Sequence, residues 1–501
     1  MLPMTLRRPL FHMVAVVAAV LAGLAADAAG QAQRTPAEYQ VSIAASSPLL
    51  ARVRARLPVA DGRLEMAGWG ADMHPRGWAH YVHGLTVRDR RGRPIAAAAV
   101  PDSAVWRLGQ PAPGVVDVEY TVDLSYAALP WPYGNEQASL YADGQLFTVS
   151  KALFVTSSAT GPRRVEFSLP AGWHVAAPWA AVLGVPGAFD VRDRNSLINN
   201  SLVVGPVPPT TIRAGAFTFQ LALLGPAASG RAEIEGALSP VLQEFIRIFP
   251  STPPSQYLMT VFRAAEPDAE AYAASTAFSE AEDLLPDNRL GWAQTLAHEL
   301  FHAWNGHAIH AASASDLQWF SEGVTDYYAT RTLAKAGLIG ESEFIRRMEH
   351  VLGRYLYFRS APAFDGVTLR AAGTRKGTYR LGVYDGGWTI GLCLDMQIRT
   401  ASRGSHSLDD VMRSLYERFG VPGTAVAYDD VVRTAAAATG TSWDDFFRRY
   451  VDGNETLPVA DCLKQAGYRG FGQSYAGDYY VVPLDGGLLR DELFESAGVV
   501  R

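Results

Sequence analysis

The chain has 501 residues, 48% of them hydrophobic and 19% charged, which suffices for two or three domains with their own cores and excludes a largely disordered protein. Its formal net charge is -6 and neither sign gathers in long blocks, so a nucleic-acid footprint and a polyanionic tail are excluded as well.

The first thirty residues stand apart. Arg7 and Arg8 precede an almost unbroken apolar run from Phe11 to Ala26, and Ala28, Ala29 and Gly30 follow it. This order predicts a secretory signal peptide over residues 1–30, hence a periplasmic or secreted protein with no other membrane attachment; an uncleaved anchor is the competing reading. Outside the cytoplasm Cys393 and Cys462, the two cysteines of the chain, have the choice of bridging or of being buried separately, and the sequence is compatible with both.

Residues 31–228 carry the period-two pattern of strands. Val116, Val118, Tyr120, Val122 and Leu124 alternate with Asp117, Glu119, Thr121 and Asp123; Val165, Phe167 and Leu169 repeat the pattern, as do Phe217, Phe219 and Leu221. Gly and Pro clusters separate these runs, which predicts an antiparallel β domain built as a sandwich or saddle. From residue 229 to about 455 helical spacing dominates, starting with Leu238, Val241, Leu242 and Phe245. Tyr257 to Arg263 reads as a strand, and Tyr272 to Phe278 as a second. Ser407 with Asp410, and Ser442 with Asp445, have capping-box spacing ahead of helices Leu408 to Phe419 and Trp443 to Val451. The expected class is therefore α+β and multidomain, with a β-rich N-terminal domain, a mostly helical second domain and a short tail over 456–501.

Chemistry concentrates in one segment. On a helix from about Gly291 to Trp304, His298 and His302 are four residues apart and project from one face, so two imidazoles can reach one zinc ion. Glu299 lies beside them, placed to take a proton from a water on the metal. A three-residue pattern alone is weak, and an exposed helix with solvated side chains would match it too. A second helical segment, Leu317 to Leu338, adds Glu322 twenty residues after His302 as a third ligand and Asp326 one turn further as a hydrogen-bond acceptor for a ligand histidine. His307 and His310 have no partner at ligand spacing and read as surface or hydrogen-bonding residues.

The runs His298-Glu-Leu-Phe-His-Ala-Trp-Asn305 and Trp319-Phe-Ser-Glu-Gly-Val-Thr-Asp-Tyr-Tyr328 resemble the two signature blocks of the glycyl aminopeptidase family of zinc peptidases. Ser407 to Phe419 and Phe446 to Val451 are similar to that family as well, so the likeness covers most of residues 255–465. It implies a thermolysin-like catalytic domain behind an N-terminal β domain, with zinc as cofactor and a peptide as substrate. It also suggests Tyr384, in Tyr384-Asp385-Gly386-Gly387, as the donor to the developing oxyanion, although the lysine of the family's Tyr-x-Lys-Gly stretch is missing; Tyr379, Tyr327 and Tyr328 compete for the role.

Two departures bear on function. About forty residues follow Asp461, too few for the PDZ domain common in the family. The family's exopeptidases show Gly-Gly-Leu-Glu-His ahead of the zinc helix, where the glutamate binds the substrate amine; here Asp268-Ala-Glu-Ala-Tyr-Ala-Ala-Ser-Thr276 stands instead, with Glu270 one residue out of register. Aminopeptidase action with Glu270, or alternatively Glu266 or Asp268, as amine receptor is the leading expectation. A zinc endopeptidase and a zinc-stabilised binding protein are the alternatives, the last disfavoured because a purely structural site needs a fourth ligand rather than Glu299.

Overall fold

A computed structural model describes residues 36–44, 49–109, 114–124, 139–214, 217–249, 251, 256–264, 267–472 and 479–495. The expected signal segment 1–30, together with Glu266 and Tyr475, lies outside them.

The N-terminal half is β-structure, as the alternating runs require. An eight-stranded sheet has Ala37–Ile43, Leu50–Val59 and Gly114–Asp123 at its centre, paired antiparallel in the register Val41 to Val53 to Tyr120. One pair departs from the antiparallel expectation: Ala37–Ile43 runs parallel to Arg163–Ser168. A four-stranded sheet centred on Gln145–Val149 and Ser201–Gly205 shares the same core, which includes Tyr39, Val53, Tyr120, Phe147 and Phe154.

A mixed five-stranded sheet joins this half to the helices, in the order Thr210–Ala214, Phe217–Leu223, Gln256–Arg263, Ser275–Glu280, Asp268–Ala271. Its central strand is buried on both faces, which is why Tyr257 to Phe262 reads as a continuous run rather than an alternation. Tyr257, Met259 and Val261 face the helices, while Leu258 and Phe262 face the β core. The passage expected at residue 228 is therefore gradual, since Phe217–Leu223 already pairs with Gln256–Arg263. Asp268–Ala271 ends the sheet, with its other edge unpaired by any described strand.

The helices from Arg231–Ile248 to Val459–Ala466 pack on the other face around one core. Ser407 caps Leu408–Leu415, and Asp410 completes the box. Ser442 forms no box with Asp445: its hydroxyl donates to the Asp444 carboxylate and accepts from Asp444 N–H at 3.4 Å, Trp443 takes the N-cap position, and the helix starts one residue later at Asp444. The tail contributes a hairpin, Tyr468–Gly472 with Tyr479–Pro483, whose Val481 N–H donates to Glu349. No described helix is long and apolar enough to cross a membrane.

Cys393 and Cys462 are joined as a disulfide, with Cα atoms 5.1 Å apart and a sequence separation of 69. Closing so long a loop restricts the unfolded chain, and removing both sulfurs by Cys393→Ala with Cys462→Ala is expected to lower stability by roughly 2–4 kcal/mol. Denaturant unfolding of the two proteins checks this; equal midpoints would show the bridge to be idle.

Candidate active site

The zinc-motif helix spans Arg289–Phe301. Trp292, Ala293, Leu296, Ala297 and Leu300 bury one face in the helical core, and the other face turns Gly291, Gln294, Thr295, His298 and Glu299 to a cleft of about 770 Å³. The helix stops three residues earlier than its periodicity predicts. His302 is its C-cap, Asn305 N–H bonds Phe301 O, and Gly306 has φ 135°, which no helix allows.

The second segment is broken into Ala314–Gln318, a wide π turn Trp319–Val324 and Thr325–Lys335. Wide turns of this kind re-aim side chains and concentrate at functional sites. Leu381–Gly386, which carries Tyr384, is another. The two cross at glycines: a Cβ on Gly323 would lie 2.4 Å from Gly387 Cα and 2.5 Å from Val383 O, and one on Gly387 would lie 2.1 Å from Trp319 O. Glu322 and Tyr384 meet because nothing larger than hydrogen stands between the two backbones.

His298 Nε2 and His302 Nε2 lie 3.1 Å apart, and Glu322 Oε2 is 3.4 Å from the first and 3.7 Å from the second. The other ring nitrogens are occupied: His298 Nδ1 meets Asp326 Oδ1 at 3.2 Å and His302 Nδ1 meets Asn305 O at 2.9 Å. Each imidazole therefore presents Nε2 to the same point, and two such nitrogens with one carboxylate oxygen make a donor set that fits zinc with a coordination position to spare. Asp326 is itself held by Gln294 Nε2 at 2.9 Å and by the Arg347 guanidinium, and Asn305 by Phe320 O and Thr325.

The electrostatics favour a cation here. Burial alone would lower His298, but hydrogen bonds to Asp326 and Glu322 outweigh it and push the imidazole up to about 10. Burial opposes ionisation of Glu322, yet bonds to the two histidines and the Lys376 charge hold it well below the carboxylate range. Glu299 is raised, mainly by burial. It lies with His298 and His302 in a group whose ligand atoms are all within 4.8 Å of one another.

Tyr384 is raised by burial and then by the Glu322 carboxylate, and its ring centroid is 6.2 Å from that of His298. Its competitors are engaged elsewhere: Tyr327 donates to Asp395, Tyr328 to Asp409, and Tyr379 meets Arg375. Glu270 sits half-buried on the edge strand opposite Ala277, whereas Asp268 and Ala269 line the cleft. Sequence reasoning missed Lys376, whose Nζ bonds Glu322 Oε1 at 2.8 Å, and Arg380, which stacks 4.3 Å from the centre of the Tyr384 ring. No motif announces either, because they reach the site from a turn 54 residues beyond Glu322 in the case of Lys376.

This arrangement agrees with comparisons to known proteins. Residues 291–363 match the M61 glycyl aminopeptidase model, and residues 38–205 match the Peptidase M61 N-terminal domain. The chain belongs to the glycyl aminopeptidase family of zinc metallopeptidases. Among solved structures, an aminopeptidase N family protein from Idiomarina loihiensis superposes with a TM-score of 0.72 at 19% identity, over 87% of this chain and 79% of that one. An M1 zinc metallopeptidase from Deinococcus radiodurans, in a variant bound to a Tyr-Ser-Ala substrate, gives a TM-score of 0.55 at 15% identity, over 85% of this chain and 95% of that one. A second structure of an M1 zinc metallopeptidase from that organism gives a TM-score of 0.54 at 16% identity over the same shares. These likenesses establish the two-part fold, β-rich then helical. No curated protein matches the chain.

The glycine crossing and the loop behind the zinc-motif helix each yield a test in this glycyl aminopeptidase relative. Gly323→Ala must push the two wide turns apart and is expected to lower stability by about 1–3 kcal/mol and to weaken zinc binding. Gly236→Ala, on a helix with nothing within 4 Å of the new Cβ, should be neutral or slightly stabilising. Unfolding curves and zinc titration of the pair decide; a zinc affinity unchanged in Gly323→Ala would remove the crossing from its role. His307 follows Gly306, and burial, with the nearby His302 charge, lowers it to about 4 even though its ring bonds Ala271 O. Its folded pKa lies below the unfolded value of 6.5, so the stability that neutral His307 contributes is complete above that value and is lost as pH falls toward 4. His307→Gln should therefore lose less stability than the parent between pH 7 and 4.5, read from denaturation midpoints in the presence of chelator; parallel profiles would contradict this.

Proposed function

We propose that this zinc metallopeptidase is an aminopeptidase that holds its metal through His298, His302 and Glu322. The observation that carries the reading is the convergence of His298 Nε2, His302 Nε2 and Glu322 Oε2 while Asp326 and Asn305 occupy the outer ring nitrogens. When bound, zinc supplies Lewis acidity that lowers the pKa of water and polarises the scissile carbonyl.

The chain's own groups do the rest. Glu299 takes the proton from the attacking water and returns it to the leaving amine; burial raises this carboxyl and so makes it a stronger base than an exposed carboxylate. Tyr384 donates its hydroxyl hydrogen to the carbonyl oxygen as charge develops there. Asp326 fixes the tautomer of His298. A free N-terminus is a cation, and a buried unpaired charge costs several kcal/mol, so an exopeptidase needs a carboxylate near the amine. Asp268 is favoured for this over Glu270 because it lines the cleft. Asp268–Ala271 is the last strand of its sheet among the described residues and borders the cleft, so an extended peptide running alongside it is the second reading, an endopeptidase. A periplasmic or secreted location is part of the proposal, supported by the Cys393–Cys462 disulfide and the N-terminal apolar run.

His298→Ala is expected to abolish stoichiometric zinc, and Glu299→Gln to retain zinc and fold while losing most turnover, both read by metal analysis and peptide hydrolysis. Tyr384→Phe should cost roughly 2.7–4 kcal/mol in the chemical step. Hydrolysis of alanyl or glycyl peptides with a free amine should exceed that of the same peptides acetylated. Equal kcat/KM for the two would sink the aminopeptidase reading in favour of the endopeptidase, and near-normal rates in Glu299→Gln would remove that residue as the base.

A further inference from the structure

The helix Glu341–Ser360 forms one wall of the cleft. Glu343, Arg346, Arg347, His350 and Arg354 recur at helical spacing and all line it, so one stripe of the helix is almost wholly basic. Arg380 joins the wall from the segment that carries Tyr384.

The basic groups divide into two kinds. Arg347 is neutralised by Asp326, and Arg354 by Asp385 at 3.2 Å, so these two belong to the scaffold of the metal site. Arg346 and Arg380 form no ion pair among the described residues, and both are exposed to the cleft. Glu343, the acid of the stripe, accepts from Gly340 N–H at 2.8 Å and so faces the start of its own helix. His350 lies between, one turn from Arg346 and 3.1 Å from Arg354. Of the other acids of the cleft, Asp326 and Asp385 are taken up by Arg347 and Arg354, while Glu299 sits on the zinc-motif helix, Asp268 on the edge strand and Asp287 ahead of the zinc-motif helix. The cleft is thus polarised across the metal site.

We propose that Arg346 and Arg380 bind a carboxylate of the substrate, either the free C-terminus of a short peptide or an acidic side chain. Guanidinium groups present paired N–H donors that match a carboxylate, and neither Arg346 nor Arg380 has a carboxylate partner among the described residues. Arg380 lies against Tyr384, so a carboxylate held there also draws the scissile carbonyl toward that hydroxyl. A peptide with amine and carboxylate both free matches the two poles, and the preferred substrates are short peptides or peptides with Asp or Glu near the scissile bond.

This inference rests on the peptidase reading, and its test separates the two. Hydrolysis of Ala-Ala-Ala is compared with that of its C-terminal amide, and Ala-Glu-Ala amide with Ala-Gln-Ala amide, in the parent, Arg346→Gln and Arg380→Gln. The parent should prefer the carboxylate member of at least one pair by about tenfold in kcat/KM, mostly through KM, and high salt should shrink the ratio. Preference in the first pair assigns the C-terminus, and in the second the side chain. Each Arg variant should bring the ratio toward one; because both substrates are read on the same protein, a general loss of rate does not decide. A parent ratio near one in both pairs, or full preference retained in both variants, overturns the proposal. Calorimetric binding of the same peptides to Glu299→Gln protein reads the preference without turnover. Absence of hydrolysis with carboxylate-selective binding would thus count against the peptidase alone, and unselective binding against the arginines.

Discussion

The site depends on how closely two stretches of backbone approach at Gly323 and Gly387. A methyl group at either position would fall inside the van der Waals surface of the opposing chain, at 2.4 Å from Gly387 Cα in one case and 2.1 Å from Trp319 O in the other. Ordinary helices packed side by side stand about 8–10 Å apart, set by the side chains between them. Glycine removes that spacer, and both segments widen into π turns at the contact. Each turn then carries one side chain of the proposed site inward, Glu322 from one and Tyr384 from the other. The same approach lets Lys376 reach the second oxygen of Glu322, leaving the first directed at the histidines.

Behind this contact lies a buried polar scaffold. Asp326 receives His298, Gln294 and Arg347 at once, so a single carboxylate ties the zinc-motif helix to its neighbour and to the helix of the basic wall. One turn beyond, Arg331 meets Asp409 at 2.6 Å and Glu492 at 2.9 Å, with only 4% of its side chain exposed. Buried ion pairs gain little net stability, since desolvation offsets attraction, but breaking one leaves an uncompensated charge. Their effect here is to fix orientation. Glu492 also pairs with Lys335 and Arg399, so the last described turn of the chain is fastened to the helix that follows Glu322.

Much of this was legible in the sequence, and the part that was not has a physical explanation. Four-residue spacing puts His298 and His302 on one helical face whatever surrounds them, so local geometry sufficed. Alternation revealed Gly114–Asp123 and Arg163–Ser168 because each has one wet face. The parallel pairing of Ala37–Ile43 with Arg163–Ser168 left no local mark, since it joins strands more than a hundred residues apart. The π turn Trp319–Val324 falls inside a stretch whose spacing predicts one continuous helix, because its cause is Gly387 some sixty residues further on. Ser442 shows the converse limit: capping-box spacing was present, but the hydroxyl found Asp444 instead. Lys376 and Arg380 were invisible for the same reason as the π turns, their proximity being created by tertiary packing.

The five-stranded sheet explains why a β-rich half is needed by a helical site. Its central strand has no wet face: Tyr257, Met259 and Val261 require the helices, and Leu258 and Phe262 require the β core. Stripped of the N-terminal half, that sheet would expose an apolar surface, and the strand Asp268–Ala271 at its end would lose its fixed position beside the cleft. His307 closes the arrangement by bonding Ala271 O from the loop that follows His302. The edge strand is thereby registered against the metal-binding helix from both sides, through its sheet and through this loop. The border of the cleft is thus fixed by the β half as much as by the helices that carry the proposed catalytic groups.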